Sequence, residues 1–169
     1  MLWSKSASKI RRARLSDAES LMRVQRESWM LAYRGIIPHD QLKAMVDRRS
    51  AAWWRGAIRS RDHVLALDVD GSLAGYATCG RSRHVRDVDG EIYELYLAPN
   101  YQGLGFGELV FEACRATLDR RSYRGLVVQV LSENEQAVDF YWARGGRPTA
   151  ETFERFGETL VSKLTLTWD

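Results

Sequence analysis

Hydrophobic and polar positions change period several times along this chain, and each change marks an element. Lys9 to Ala13 reads as a short first strand. Ser16-Asp17-Ala18-Glu19 has the spacing of a capping box, and Leu21, Val24 and Ser28 continue on one helical face to about Trp29. Gly35 and Pro38 break that helix. His39 to Ser60 reads as a second helical region, anchored by Leu42, Met45, Val46, Trp53, Trp54 and Ile58. From His63 to Val69 the period drops to two. Asp70-Gly71 is a two-residue hairpin turn, and Ser72 to Arg81 is its return strand. A polar loop, Arg83 to Gly90, leads into a strong strand from Glu91 to Leu97, which Pro99 stops. A glycine-rich turn opens a helix from about Gly105 to Arg120. Gly125 to Leu131 is an apolar strand, and Asn134 to Arg144 is a helix ended by Gly145-Gly146. Thr149 to Phe156 and Thr159 to Trp168 form a last hairpin about Gly157. The order β-αα-βββ-α-β-α-ββ predicts an α/β (α+β) fold, a mixed sheet of about seven strands with about four helices on its two faces.

Composition narrows the class. With 169 residues, 45% of them hydrophobic and 28% charged, the chain fits one globular domain rather than a disordered or fibrous one. The expected arrangement is a single domain over residues 1–169 with a flexible N-terminus over 1–8. No apolar run could cross a bilayer, and the basic first residues lack the apolar segment of a secretory signal, so a cytoplasmic location is expected. Cys79 and Cys114 read as buried thiols. His39, His63 and His84 do not cluster, and no metal-ligand spacing occurs, so no metal is expected. Residues 1–62 carry 14 Lys and Arg against 6 Asp and Glu, and the remainder 11 against 16. That basic first third is either a solvated surface or a polyanion-binding face, but no nucleic-acid-binding signature accompanies it.

The candidate chemistry centres on the turn Gln102-Gly103-Leu104-Gly105-Phe106-Gly107 between a strand and a helix. Glycines admit positive φ and close backbone approach. The first amides of a helix lack intrahelical partners and carry the positive end of its dipole. Together these make a phosphate site built of backbone, unless the segment is simply a tight turn. Glu108 follows Gly107 where a nucleotide-binding P-loop requires lysine, and the third glycine comes one position early for a dinucleotide fingerprint.

Gln102-x-x-Gly105-x-Gly107 resembles the acetyl-coenzyme A signature of the GNAT superfamily of N-acetyltransferases, Gln/Arg-x-x-Gly-x-Gly/Ala. A second stretch, Asn134-x-x-Ala137-x-x-Phe140-Tyr141-x-x-x-Gly145, is similar to that family's later helix, although Gly146 stands where the family usually has Phe. A third, Trp29-x-x-Ala32-Tyr33-Arg34-Gly35-Ile36-Ile37-Pro38, resembles the inter-helix region that borders the acceptor pocket in many bacterial members. The resemblance runs in order over nearly the whole chain. It implies a GNAT fold with a mostly antiparallel sheet, and acetyl-CoA as cosubstrate. The loop Gln102, Gly103, Leu104, Gly105, Phe106 and Gly107 would hold the pyrophosphate, and the strand ending at Leu97 would pair with the pantetheine arm. Asn134, Ala137 and Tyr141 share one helix face. Asn134 is either a cofactor contact or an N-cap, and Tyr141 either a core aromatic or, by the resemblance, the acid that protonates the leaving thiolate.

An acceptor amine must shed its proton to attack. A free alkylamine has a pKa of about 10.4, so a base is required. Glu91 and Glu94 are three apart on one strand and so are expected on opposite faces. Glu94, nearer the phosphate turn, is the preferred base. Some protein N-terminal acetyltransferases place a glutamate on the later strand, where this chain has Gln129, which argues against ribosomal-protein acetylation. Trp29 and Tyr33, with Trp53 and Trp54, either line the acceptor pocket or belong to the core. The expected activity is direct acetyl transfer in a ternary complex to a primary amine of a small molecule or peptide. A non-catalytic CoA-binding regulatory domain and a basic ribosome- or nucleic-acid-associated module are the alternatives. No membrane partner is expected, and an exposed final strand leaves room for a homodimer.

Overall fold

The structure is a computed structural model and describes residues 7–169. Most of the segment expected to be flexible lies outside the described residues, but Ser8 is already in the sheet, opposite Val69. Strand β1 (Ser8–Arg12) precedes three helices, α1 (Ala18–Tyr33), α2 (His39–Arg48) and α3 (Ala51–Arg59). The meander β2 (His63–Val69), β3 (Ser72–Arg81) and β4 (Gly90–Leu97) follows, then α4 (Phe106–Asp119), β5 (Leu126–Leu131), α5 (Glu135–Ala143), β6 (Arg147–Phe156) and β7 (Thr159–Trp168). Seven strands form one sheet in the order β1-β2-β3-β4-β5-β7-β6. Among the described residues only β4 and β5 pair in parallel. Among the described residues no helix is long and apolar enough to cross a membrane.

Two local readings are corrected. The second helical region is two helices, giving five rather than about four. Arg49 (φ −91, ψ 62) leaves the helical region, and Ser50 caps a new start by accepting from the Trp53 amide at 3.2 Å. The start of α1 is not a Ser16–Glu19 box. A short 3-10 turn, Leu15–Asp17, precedes it, and the Asp17 carboxylate accepts from the Arg14 amide at 2.7 Å and from Arg11 at 2.7 and 3.0 Å. Asp17 stands at the N-cap position of α1, but its carboxylate is taken up by Arg11 and the Arg14 amide and makes no capping bond to the helix.

Helices cover both faces, which is why β2 is buried along nearly its whole length. Leu65, Leu67 and Ile92 pack under α4 with Val110 and Phe111, while Val64, Ala66 and Tyr76 pack under α1 and α3 with Leu21 and Trp54. Cys79 and Cys114 are free and fully buried in the first of these cores. A third cluster beside α2 joins Trp29, Leu42 and Val46 to Leu131, Phe156 and Val161.

Two irregularities in β4 position the site. It pairs with β5 only at Gly90, Glu91 and Ile92; beyond that β5 pairs with β7 alone, and a cleft opens between the two strands. In the ladder with β3, Thr78 faces Glu94 but the next residue, Cys79, faces Ile92, so Tyr93 is the extra residue of a β-bulge. One inserted residue shifts the alternation by one. Glu91 and Glu94, expected on opposite faces, therefore line the same cavity, while Ile92, Leu95 and Leu97 turn to the α4 core.

Candidate active site

The turn after β4 is shaped by two left-handed glycines, Gly103 (φ 74) and Gly105 (φ 84), the second being the N-cap of α4. Among the described residues the amides from Gly103 to Gly107 donate to no protein acceptor. Five N–H groups are thus left without a protein partner at the start of a 14-residue helix, whose dipole favours an anion there. The Gln102 side chain secures the turn from behind, its Nε2 donating to the Leu97 carbonyl at 3.0 Å. Leu104 stands exposed at the tip, whereas Phe106 is buried and packs edge-on against Tyr101. Gly107 serves a packing need: a Cβ there would lie 2.9 Å from the Phe140 ring, so glycine lets α5 approach the start of α4.

On the α1–α3 side of the cleft is a cavity of about 720 Å³. Trp29, Tyr33 and Trp53 line it; Trp54 is wholly buried in the core. The Tyr33 and Tyr96 hydroxyls are hydrogen-bonded to one another. Burial pushes Tyr33 up to about 12 and raises Tyr96 as well, so both stay protonated.

The two glutamates sit in different surroundings. Glu94 accepts from Arg49 at 2.8 Å, Thr78 at 3.1 Å and Tyr76 at 3.3 Å. Glu91 is 4% exposed, accepts only the Arg83 amide at 3.0 Å, and has no cationic partner among the described residues. Its burial raises its pKa above the usual carboxylate value. Glu91 and the bulged Tyr93 also stand where β4 and β5 begin to part. Gln129 lines the cavity from β5, its Oε1 accepting from Thr165 at 2.9 Å.

Tyr141 lies on the other face, buried against Phe111, Phe140 and Trp168. Burial drives its pKa far up. Its hydroxyl has no hydrogen-bond partner among the described residues. Asn134 caps α5 through a long 3.4 Å bond from the Ala137 amide. Gly146 has a physical reason: a Cβ there would lie 2.6 Å from the Trp168 ring, whose Nε1 donates to the Arg144 carbonyl at 2.8 Å. An aromatic from the last strand thus fills the space next to the helix end.

The family model described as the acetyltransferase (GNAT) family matches residues 20–145. The chain belongs to the acetyltransferase (GNAT) family. It is 28% identical over 161 residues to the N-acetyltransferase YuaI of Bacillus subtilis, covering 94% of this chain and 91% of that one. It is 22% identical to a spermidine N(1)-acetyltransferase of Thermoplasma acidophilum, covering 80% and 86%. The fold matches the PaiA N-acetyltransferase of Thermoplasma acidophilum, solved with coenzyme A, at a TM-score of 0.73 and 20% identity, over 92% and 97% of the two chains.

The residues present fit coenzyme A. The unpartnered amides from Gly103 to Gly107 suit a diphosphate, and β4 beyond Ile92 offers main chain that β5 does not use. Sequence reasoning missed Arg49, which lies at the break between two helices where no periodicity marks it, and set Glu91 behind Glu94 because the bulge that brings it into the cavity left no signal.

Proposed function

We propose that this acetyltransferase moves an acetyl group directly from acetyl-CoA to a primary amine seated in the 720 Å³ cavity, without a covalent enzyme intermediate. The observation that carries the reading is the run of free amides from Gly103 to Gly107 beside a cleft with a buried carboxylate at its apex. Acetyl-CoA, when bound, supplies the acetyl group from its thioester, and coenzyme A leaves as the thiol. The Gly103 to Gly107 amides would hold its diphosphate, and the β4 main chain beyond Ile92 would pair with its arm. Glu91 takes the proton of the acceptor ammonium. It is favoured over Glu94 because Glu94 is already engaged by three donors, whereas Glu91 is desolvated and unpaired. Glu94 holds Arg49 instead. Tyr141, kept protonated by burial, gives its proton to the departing sulfur.

Trp29 and Tyr33 shape the acceptor side, for a small molecule or a peptide end. Two free buried thiols support a reducing, cytoplasmic setting. The final strand β7, expected to be exposed, lies inside the sheet between β5 and β6; the exposed edge is β6, and it supports pairing with a second copy. The test is thiol release from acetyl-CoA with a panel of amines. Release that requires both enzyme and amine is expected; release with no amine-dependent component would overturn the proposal.

A further inference from the structure

The cavity holds a cation whose hydrogen-bonding capacity is mostly unused. Arg49 sits at the junction where α2 ends and α3 begins, a position fixed by the break in the helix. Its guanidinium lies 3.9 Å from the Trp53 ring centre and 4.8 Å from that of Trp29. It makes one protein hydrogen bond, from Nη1 to Glu94. Its Nε and Nη2 have no protein acceptor among the described residues, and they are not sealed away as the Nε atoms of Arg11 and Arg144 are. A guanidinium steadied on aromatic faces, with an open edge of N–H groups in a cavity, is the geometry that receives a carboxylate.

The charges around it point the same way. Arg83 pairs with Asp62 at 2.6 Å, Lys163 with Glu154 at 3.4 Å, and Arg49 with Glu94 at 2.8 Å. Glu91 alone is left over. A diamine or polyamine would bring a second positive charge among three resident cations and find no free carboxylate for it. An acceptor with one amine and one carboxylate sets its ammonium on Glu91 and its carboxylate on the N–H edge of Arg49 that Glu94 leaves unused.

We infer that the acceptor is an amino acid or a close derivative, an amine bearing a carboxylate, anchored through Arg49. The inference rests on the acetyl-transfer activity proposed for the same cavity. The experiment compares α- and ω-amino acids with their decarboxylated counterparts, and with diamines, as acceptors for the wild-type enzyme. It then repeats the best matched pair with Arg49→Gln and Arg49→Lys. The carboxylate-bearing acceptor should have a kcat/KM about tenfold or more above its decarboxylated partner, the scale of one charge-assisted hydrogen bond. Arg49→Gln should abolish that ratio through KM, and Arg49→Lys should keep part of it. Amine acetylation with no preference for the carboxylate, or a preference for diamines, overturns this inference while leaving acetyl transfer intact. A preference that survives in a folded Arg49→Gln variant also overturns it. Transfer to no amine at all would instead strike the activity on which it rests. The wild-type comparison does not depend on whether the variants fold.

Discussion

Replacing Glu91 by Gln tests the base assignment with little structural disturbance. Gln keeps the acceptor oxygen that the Arg83 amide uses and nearly the same volume. Folding should not suffer, as the sign of the pKa shift shows. Burial raises the Glu91 pKa in the folded state, so its favourable contribution is full below the unfolded value and is lost as pH rises through the folded value. At neutral pH the ionised carboxylate is therefore a cost, and a neutral amide removes it. The kinetic effect is large. An alkylamine with a pKa of about 10.4 is neutral in only about one molecule in a thousand near neutral pH. A positioned base recovers about 10²- to 10⁴-fold, so Glu91→Gln should lose roughly 10²- to 10³-fold in kcat/KM, about 3–4 kcal/mol of barrier. The pH profile separates this from a nonspecific defect. With the base present, kcat/KM is flat from the raised Glu91 pKa up to the acceptor's own pKa. Without it, the rate climbs with pH across that range as the free amine becomes neutral. A Glu91→Gln enzyme within about threefold of wild type, with the same plateau, would refute the assignment.

Three further outcomes follow from the same structure. Tyr141→Phe keeps the ring packing against Phe111 and Trp168, so it should leave the thermal midpoint nearly unchanged while lowering kcat roughly 10- to 100-fold in steady-state assays. Gly105→Ala forces a side chain to φ 84; it should cost about 1–2 kcal/mol, visible as a melting point lowered by a few degrees, and should weaken coenzyme A binding in a titration. Asp17→Asn removes the ion pair with Arg11 and should cost about 2 kcal/mol at neutral pH. The Arg11 guanidinium holds the Asp17 pKa below its usual value. The contribution is therefore present above the unfolded pKa and fades as pH falls through the folded one, so denaturant curves of variant and wild type should converge in acid.

Much of the fold was legible because local signals agreed with the global arrangement. The Asp70-Gly71 hairpin, with both residues at positive φ, and the glycine turn before α4 are set by short-range chemistry that a sequence displays. The capping of α1 was misread because the winning interaction is tertiary: Arg11 comes from the neighbouring strand to fix Asp17. The bulge at Tyr93 was invisible for a similar reason. Which residue is extruded depends on registers against β3 and β5 together, and the Glu91–Glu94 spacing looks the same with or without it. The candidate phosphate turn could be named residue by residue because its free groups are backbone amides exposed by glycine. Of the cavity only the aromatic residues Trp29, Tyr33 and Trp53 could be named; much of the rest of its lining comes from β2 to β7 and meets them only in three dimensions. The Trp168 ring beside Gly146 joins residues 22 positions apart, and nothing local links them.

The account depends above all on unpartnered amides at the start of α4 gripping a diphosphate, and calorimetric titration of the protein with coenzyme A and with its dephosphorylated pantetheine fragment measures this most directly. Saturable heat is expected with coenzyme A, much weaker binding with pantetheine, and a clear loss of coenzyme A affinity in Gly105→Ala. Absence of heat with coenzyme A, or equal affinity for the fragment that carries no diphosphate, would contradict the account.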